Sequence, residues 1–251
     1  MKFEVERLPV GALEANCYLV WDAHSSADGA GARPCLVIDP GAEPERIVAA
    51  LKDLQLRPEA IVATHCHYDH IGAVEGLLAE FPEADWAVGE PERAWPGRPS
   101  HNLSYGFGPA FKVRPPKRLL RDGDTVEING LVVDEPDEAA RGAAFAATAG
   151  TYDERSVVPV LTFKALAVPG HSPGSMAYYC AAGKSVFTGD ALFAGDIGRA
   201  DLPGGDGQQL VESIRAKLLT LPDETVIWPG HANRSRVGFE KRNNPHVGLE
   251  G

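Results

Sequence analysis

Short apolar runs of strand length, broken by Gly- and Pro-rich turns, set the rhythm of this chain. NCYLVW (16–21) and CLVIDP (35–40) read as two β-strands of a hairpin, because each is a compact apolar run bounded by turn residues. The small, polar, Gly-rich stretch between them predicts a long tip, an insertion near 22–34. In PERIVAALKDLQL, Ile47, Val48, Leu51 and Leu54 recur at helical spacing, and the apolar run AIVATH (60–65) follows, so a βαβ unit is expected here. AVEGLLAEF (73–81) then supplies a further helix. From 90 to 118 the chain is rich in Pro, Gly and aromatic residues and predicts irregular structure covering something beneath it. DGDTVEINGLVV (122–133) returns to hairpin chemistry with Asn129-Gly130 as the turn, whereas the acidic, Ala-rich segment at 133–159 reads as a second insertion. LTFKALAVPG, MAYYCA and SVFTGD predict three more strands. DGQQLVESIRAKLLTL predicts an amphipathic helix capped by Asp206, with Gln209 at capping-box spacing, and TVIWPGH (225–231) the last clear strand.

Composition narrows what this architecture can serve. A chain of 251 residues with 44% hydrophobic content suits one domain, residues 1–251, with a sizeable core. The formal net charge of −11, from 35 acidic against 24 basic residues, argues against a general nucleic-acid binder, which needs basic side chains to neutralise phosphates. No apolar run approaches the roughly 18 residues of a membrane span and no signal pattern opens the chain, so a cytoplasmic protein without membrane association is expected. Cys17, Cys35, Cys66 and Cys180 lack CxxC spacing and read as buried thiols rather than a disulfide framework.

The chemistry concentrates in THCHYDHIG (64–72). His65, His67, Asp69 and His70 offer imidazole and carboxylate ligands suited to a divalent metal. Histidines two apart on an extended segment point the same way, so His65 and His67 could share one ion while Asp69 and His70 turn to a second position. Three later residues share the setting: His171 in VPGHSPGS, Asp190 in VFTGDALF and His231 in VIWPGHAN each follow an apolar strand through a Gly. Loops at the carboxyl ends of strands are where open α/β sheets bind ligands. His24, His101 and His246 lack that setting and read as surface residues.

These residues resemble the metallo-β-lactamase-fold hydrolase superfamily, whose HxHxDH motif stands here at 65–70, followed in the family's order by His171, Asp190 and His231. The resemblance runs from about Asn16 to Pro245. It implies an α/β fold, an αββα sandwich of two mixed sheets flanked by helices. It also implies two divalent metal ions, zinc first, with iron or manganese equally suited to such ligands. His65, His67 and His171 would hold one ion, Asp69, His70 and His231 the other, Asp190 would bridge them, and Asp69 would also assist proton transfer. Within the superfamily, FAGDIGRADLPGGDGQQLVESIRAKL and GFEKRNNP look most like the short glyoxalase II-type proteins, hydrolases of hydroxyacylglutathione thioesters. A small thioester bearing two carboxylates would need a cationic clamp, for which Arg199, Lys241 and Arg242 are the candidates. Only 20 residues follow His231, too few for a helical glutathione-binding domain, and GHANRSR departs from the family's Gly-rich continuation. The alternatives are a mononuclear-iron persulfide dioxygenase, a lactone or β-lactam hydrolase, and a redox module built on Cys66. The acidic chain, without a tRNA-binding arm, argues against the RNA-processing branch.

Overall fold

The computed structural model describes residues 2–25, 27–107, 109–129 and 159–248. The Asn129-Gly130 turn and the insertion expected at 133–159 lie outside the described residues, apart from Asn129 and the backbone of Pro159. Two six-stranded mixed sheets form the centre. The first runs β1 (Phe3–Val10), β2 (Ala15–Asp22), β3 (Arg33–Ile38), β4 (Leu56–Val62), β5 (Asp85–Gly89) and β6 (Arg118–Leu120) in spatial order. β1, β2 and β3 pair antiparallel, and β3 to β6 pair parallel. The second sheet contains β7 (Thr125–Asn129), β8 (Pro159–Ala167), β9 (Met176–Cys180), β10 (Ser185–Gly189), β13 (Val226–Pro229) and β14 (Ser235–Arg236). Its one parallel pair, β10 with β13, brings the ends of two strands to the same edge. A small hairpin of β11 (Leu192–Phe193) and β12 (Asp196–Ile197) lies between them in sequence.

Helices cover both outer faces because each sheet presents apolar side chains on both sides. α1 (Pro44–Asp53), α2 (Tyr68–Ile71) and α3 (Val74–Glu80) flank the first sheet. α1 starts with Pro at its first position and buries Ile47 and Leu51, the face its spacing predicts. A core cluster joins these to Cys17, Val37, Ile61, Cys66 and Trp86. Between the sheets, Tyr18, Leu36, Val62, Phe163, Tyr178 and Phe187 form a second cluster. A third packs the second sheet under Leu210, Ile214, Leu218 and Val237, which belong to the helical layer after β12. A one-turn helix, α4 (Ser104–Phe107), sits in the irregular middle. α5 (Gly207–Ser213) is capped by Asp206, whose carboxylate accepts from the Gln209 N–H at 3.0 Å. The single helix expected there instead widens into a π-turn at Ile214–Leu218, and α6 (Val237–Asn243) closes the layer. The four layers make an αββα sandwich. β1, β5, β6, β11, β12 and β14 were not expected: β1 is a half-exposed edge strand carrying charges, and the others have only two to five residues.

Hydrogen bonds between the layers lock the sheets at one edge. The Tyr18 hydroxyl of β2 donates to the Pro229 carbonyl of β13 at 2.6 Å, and the Tyr178 hydroxyl of β9 donates to the Ala63 carbonyl at 2.7 Å. The Asn16 and Met176 N–H groups donate to the carbonyls of Gly230 and Thr64. Ala63, Thr64 and Gly230 directly precede the first and last histidines of interest, so these ties lie beside them.

Candidate metal centre

All seven residues singled out by position converge at that edge. His65 lies in the bend just after β4 and His67 follows it on extended backbone, Asp69 and His70 sit on the single turn of α2, and His171, Asp190 and His231 follow β8, β10 and β13. His171 Nε2 lies 3.2 Å from His65 Nε2 and 3.0 Å from His67 Nδ1. His70 Nε2 lies 3.6 Å from Asp69 and 3.4 Å from Asp190, while His231 Nε2 lies 3.3 Å and 3.5 Å from the same two carboxylates. Asp190 also reaches within 3.8 Å of His171 Nε2 and so stands between the two groups. The arrangement needs close approach at Gly230, where a Cβ would lie 2.2 Å from Asp190 Oδ1 and 2.8 Å from His70 Cε1.

The outward nitrogens decide which way each ring presents its lone pair. His171 Nδ1 donates to the Arg199 carbonyl at 2.7 Å and His231 Nδ1 to the Leu13 carbonyl at 3.1 Å. His70 Nδ1 faces the Asp39 carboxylate at 3.0 Å. The Thr64 hydroxyl donates to Asp39 at 2.7 Å, which leaves its oxygen to accept from His65 Nδ1 at 3.2 Å. A neutral imidazole has one N–H, so in their neutral, cation-binding forms His65, His70, His171 and His231 all point an Nε2 lone pair inward. Lone pairs of His65 and His171 face each other at 3.2 Å, and those of His70 and His231 face carboxylates. His70 Nε2 and Asp190 Oδ1 are buried without a hydrogen-bond partner among the described residues. Such a donor set fits divalent cations. Three groupings place ligand atoms within 4.8 Å of one another: His65, His67 and His171; His65, His70 and Asp190; Asp69, His70 and His231.

The electrostatics agree with this picture. Burial, reinforced by the neighbouring rings, holds His65 well below the ordinary imidazole range, and burial together with His171 brings His67 down to about 3. At His70 burial opposes charge, but Asp190, Asp69 and Asp39 outweigh it and push the group up to about 10. Asp69, although buried, is held below the usual carboxylate range by His70 and His231. The carboxylate side of the site thus attracts positive charge, whereas His65 and His67 on the other side resist protonation.

A family model described as the metallo-beta-lactamase superfamily matches residues 10–142 and 147–231. The chain belongs to the metallo-β-lactamase superfamily. Among its metallo-β-lactamase relatives, the hydroxyacylglutathione hydrolase GloC of Haemophilus influenzae is 31% identical over 244 residues, 97% of either chain. Of solved structures, the BLEG-1 B3 metallo-beta-lactamase is similar with a TM-score of 0.78 at 30% identity, covering 97% of this chain and 99% of the other. TTHA1623, solved in a di-iron-bound form, is similar with a TM-score of 0.70 at 32% identity, covering 96% and 99%. The chain is therefore a metallo-hydrolase-family protein whose His/Asp cluster fits divalent metal.

The remaining expectations fall differently. Cys66, between two inward histidines, points into the first core cluster and is fully buried; burial and the Glu92 carboxylate push its thiol up, so it is no reactive group. The Arg199 guanidinium pairs with Asp201 at 2.7 Å through two nitrogens, while its carbonyl orients His171. Lys241 and Arg242 both pair with Asp223, which precedes β13 and therefore lies at the end of that strand opposite His231. In the same motif, buried Glu240 accepts from the Gly195 N–H, the Ser235 hydroxyl and the Asn244 side chain and clasps the β11–β12 hairpin. His101 is not remote: it packs on Trp95, whose ring stacks on His67 at 6.2 Å. Asp39 was missed, although it follows strand β3 just as Asp190 follows β10. Its φ of +52° is one that Asp tolerates better than most residues. Among the described residues, no helix is long and apolar enough to cross a membrane.

Proposed function

We propose that the protein is a binuclear metallohydrolase that cleaves a small thioester of the hydroxyacylglutathione class. The observation that supports metal binding most directly is the convergence of imidazole lone pairs, four of them (on His65, His70, His171 and His231) fixed by a hydrogen bond on the far side of the ring. In this reading His65, His67 and His171 hold one cation, Asp69, His70 and His231 the other, and Asp190 serves both. Bound there, a pair of divalent cations supplies Lewis acidity and a water nucleophile ionised near neutral pH. Asp69, close to His231 and His70 and partly reachable from solvent, accepts and relays the proton lost in the reaction. Trp95 over His67 and Phe193 against His231 form apolar walls that keep bulk water from the reacting atoms, and Arg199 at the rim offers a charge for a substrate carboxylate. Zinc is the proposed metal; iron is the second reading, favoured by the di-iron form of TTHA1623. The thioester rests on the likeness to GloC over nearly the whole of both chains.

The test is metal analysis of the purified protein together with turnover of S-lactoylglutathione, glutathione persulfide and a β-lactam. Two ions per chain and thioester hydrolysis are expected. No thioester turnover by a fully metallated sample refutes the substrate. One iron per chain with sulfite formed from the persulfide replaces hydrolysis by the dioxygenase reading, and β-lactam turnover alone favours the activity named for BLEG-1.

A further inference from the structure

Glu92 is completely buried yet belongs to none of the ligand groupings. It ends the short 3₁₀ turn Glu90–Glu92 after β5, one parallel strand away from β4, which leads to His65. One carboxylate oxygen accepts from the Cys66 N–H at 2.7 Å, and the other accepts from the Gly174 N–H at 2.9 Å. Cys66 lies between His65 and His67, and Gly174 closes the turn that begins at His171. A single rigid O–C–O group therefore spans two segments more than 100 residues apart, both presenting ligands to the three-histidine cradle. Gly174 is required for the approach, since a Cβ there would lie 2.7 Å from the Glu92 Cγ. The same turn reaches the cradle again: the Trp95 N–H donates to the Glu92 carbonyl at 2.8 Å, and the Trp95 ring stacks on His67.

We infer that Glu92 is a positioning residue that sets the separation between the His65–His67 segment and the His171 turn, and through it the geometry of the first metal site. The inference rests on the proposed reading that this cradle holds a metal. Burying a carboxylate costs several kcal/mol unless it is well hydrogen-bonded, so an apolar side chain would fill the same space at lower cost if packing were its only role. What a carboxylate adds is a pair of strong acceptors at fixed separation. Gln keeps one acceptor and turns its N–H₂ toward an amide donor, which pushes one of the two segments away.

Glu92→Gln tests this by cobalt binding, with the first site isolated in a His231→Ala background and the second in a His67→Ala background. Chelator competition and the cobalt visible spectrum are the readouts, and thermal unfolding of the metal-free proteins runs alongside. The expected result is a roughly 10- to 100-fold weaker first site with an altered spectrum, and a second site within about threefold of its parent. Equal weakening of both sites, or lower metal-free stability with both affinities and spectra unchanged, overturns the inference in favour of a general structural role. If the parent with an intact cradle takes up no cobalt there, the metal reading itself falls, and the inference with it. Should Glu92→Gln fail to fold, Glu92→Asp is read by the same criteria, since it keeps both acceptors on a stem one methylene too short to reach both segments.

Discussion

Replacing Asp39 by Ala isolates the orienting shell from the ligands themselves. Asp39 is buried and accepts three hydrogen bonds: from the Thr64 N–H at 2.6 Å, from the Thr64 hydroxyl at 2.7 Å and from His70 Nδ1 at 3.0 Å. Ala removes both acceptor oxygens and with them all three hydrogen bonds. Each of the two Thr64 donors left buried and unpaired costs about 1–3 kcal/mol, so the fold loses about 2–6 kcal/mol, toward the low end if water enters the space. The third consequence concerns the metal. Freed from Asp39, His70 can carry its proton on Nε2, drawn there by Asp69 and Asp190 at 3.6 and 3.4 Å, and a protonated nitrogen cannot ligate. Loss of such a partner weakens metal binding about 10- to 100-fold, or about 1.4–2.7 kcal/mol. Urea unfolding of the metal-free protein measures the first quantity, and competition with a chromophoric chelator measures the second. If Asp39→Ala kept stability within about 0.5 kcal/mol and affinity within about twofold, the claim that this carboxylate fixes the His70 tautomer would be wrong.

Four further outcomes are expected. Gly230→Ala forces a Cβ to 2.2 Å from Asp190 Oδ1, so it should lower stability by about 1–3 kcal/mol and reduce metal content to one ion or fewer by elemental analysis. Cys66→Ser should retain turnover while losing at most about 1–3 kcal/mol, toward the low end because the Glu92 carboxylate beside it can accept from the new hydroxyl; in the native protein Cys66 should resist alkylation, and rapid labelling of the folded state would revive the redox reading. Arg199→Ala leaves the carbonyl that orients His171 in place, so metal content should hold while KM for a glutathione thioester rises several-fold at similar kcat. The Lys241→Ala and Arg242→Ala variants break exposed or rim pairs with Asp223, worth at most about 1 kcal/mol each, and in the case of Lys241 also a hydrogen bond to the Leu221 carbonyl; steady-state kinetics should be unchanged, and a raised KM would return them to the substrate clamp.

The candidate ligands were legible because each occupies a position that local pattern can mark: a His or Asp just beyond an apolar strand, reached through a Gly or an extended turn. The residues that orient them were not. Asp39 acts 25 and 31 positions away in sequence, on Thr64 and His70, and Glu92 acts 26 and 82 positions away, on Cys66 and Gly174. Such pairings exist only once the strands are ordered in the sheet. The division of strands between two sheets is hidden for the same reason, because β4 and β10 are both short apolar runs and nothing local says that one lies in each layer. Residue type alone also did not disclose the contacts each residue makes. At Arg199 the carbonyl matters more visibly than the guanidinium, and in the GFEKRNNP stretch the buried Glu240 and Asn244 hold the hairpin while the cations face Asp223.

The alternation at the end of β4, with histidines turned inward to the centre and Cys66 turned outward into the core, ties two economies of the cell together. Under the proposed reading, whatever free energy the ligands gain from a cation is shared with the packing on which the first sheet depends, and the native state deepens with the logarithm of free metal. A cell short of that metal would then hold more of the chain in opened forms, where proteases find it. The steady-state amount of the protein, and not merely its turnover rate, would follow the metal supply.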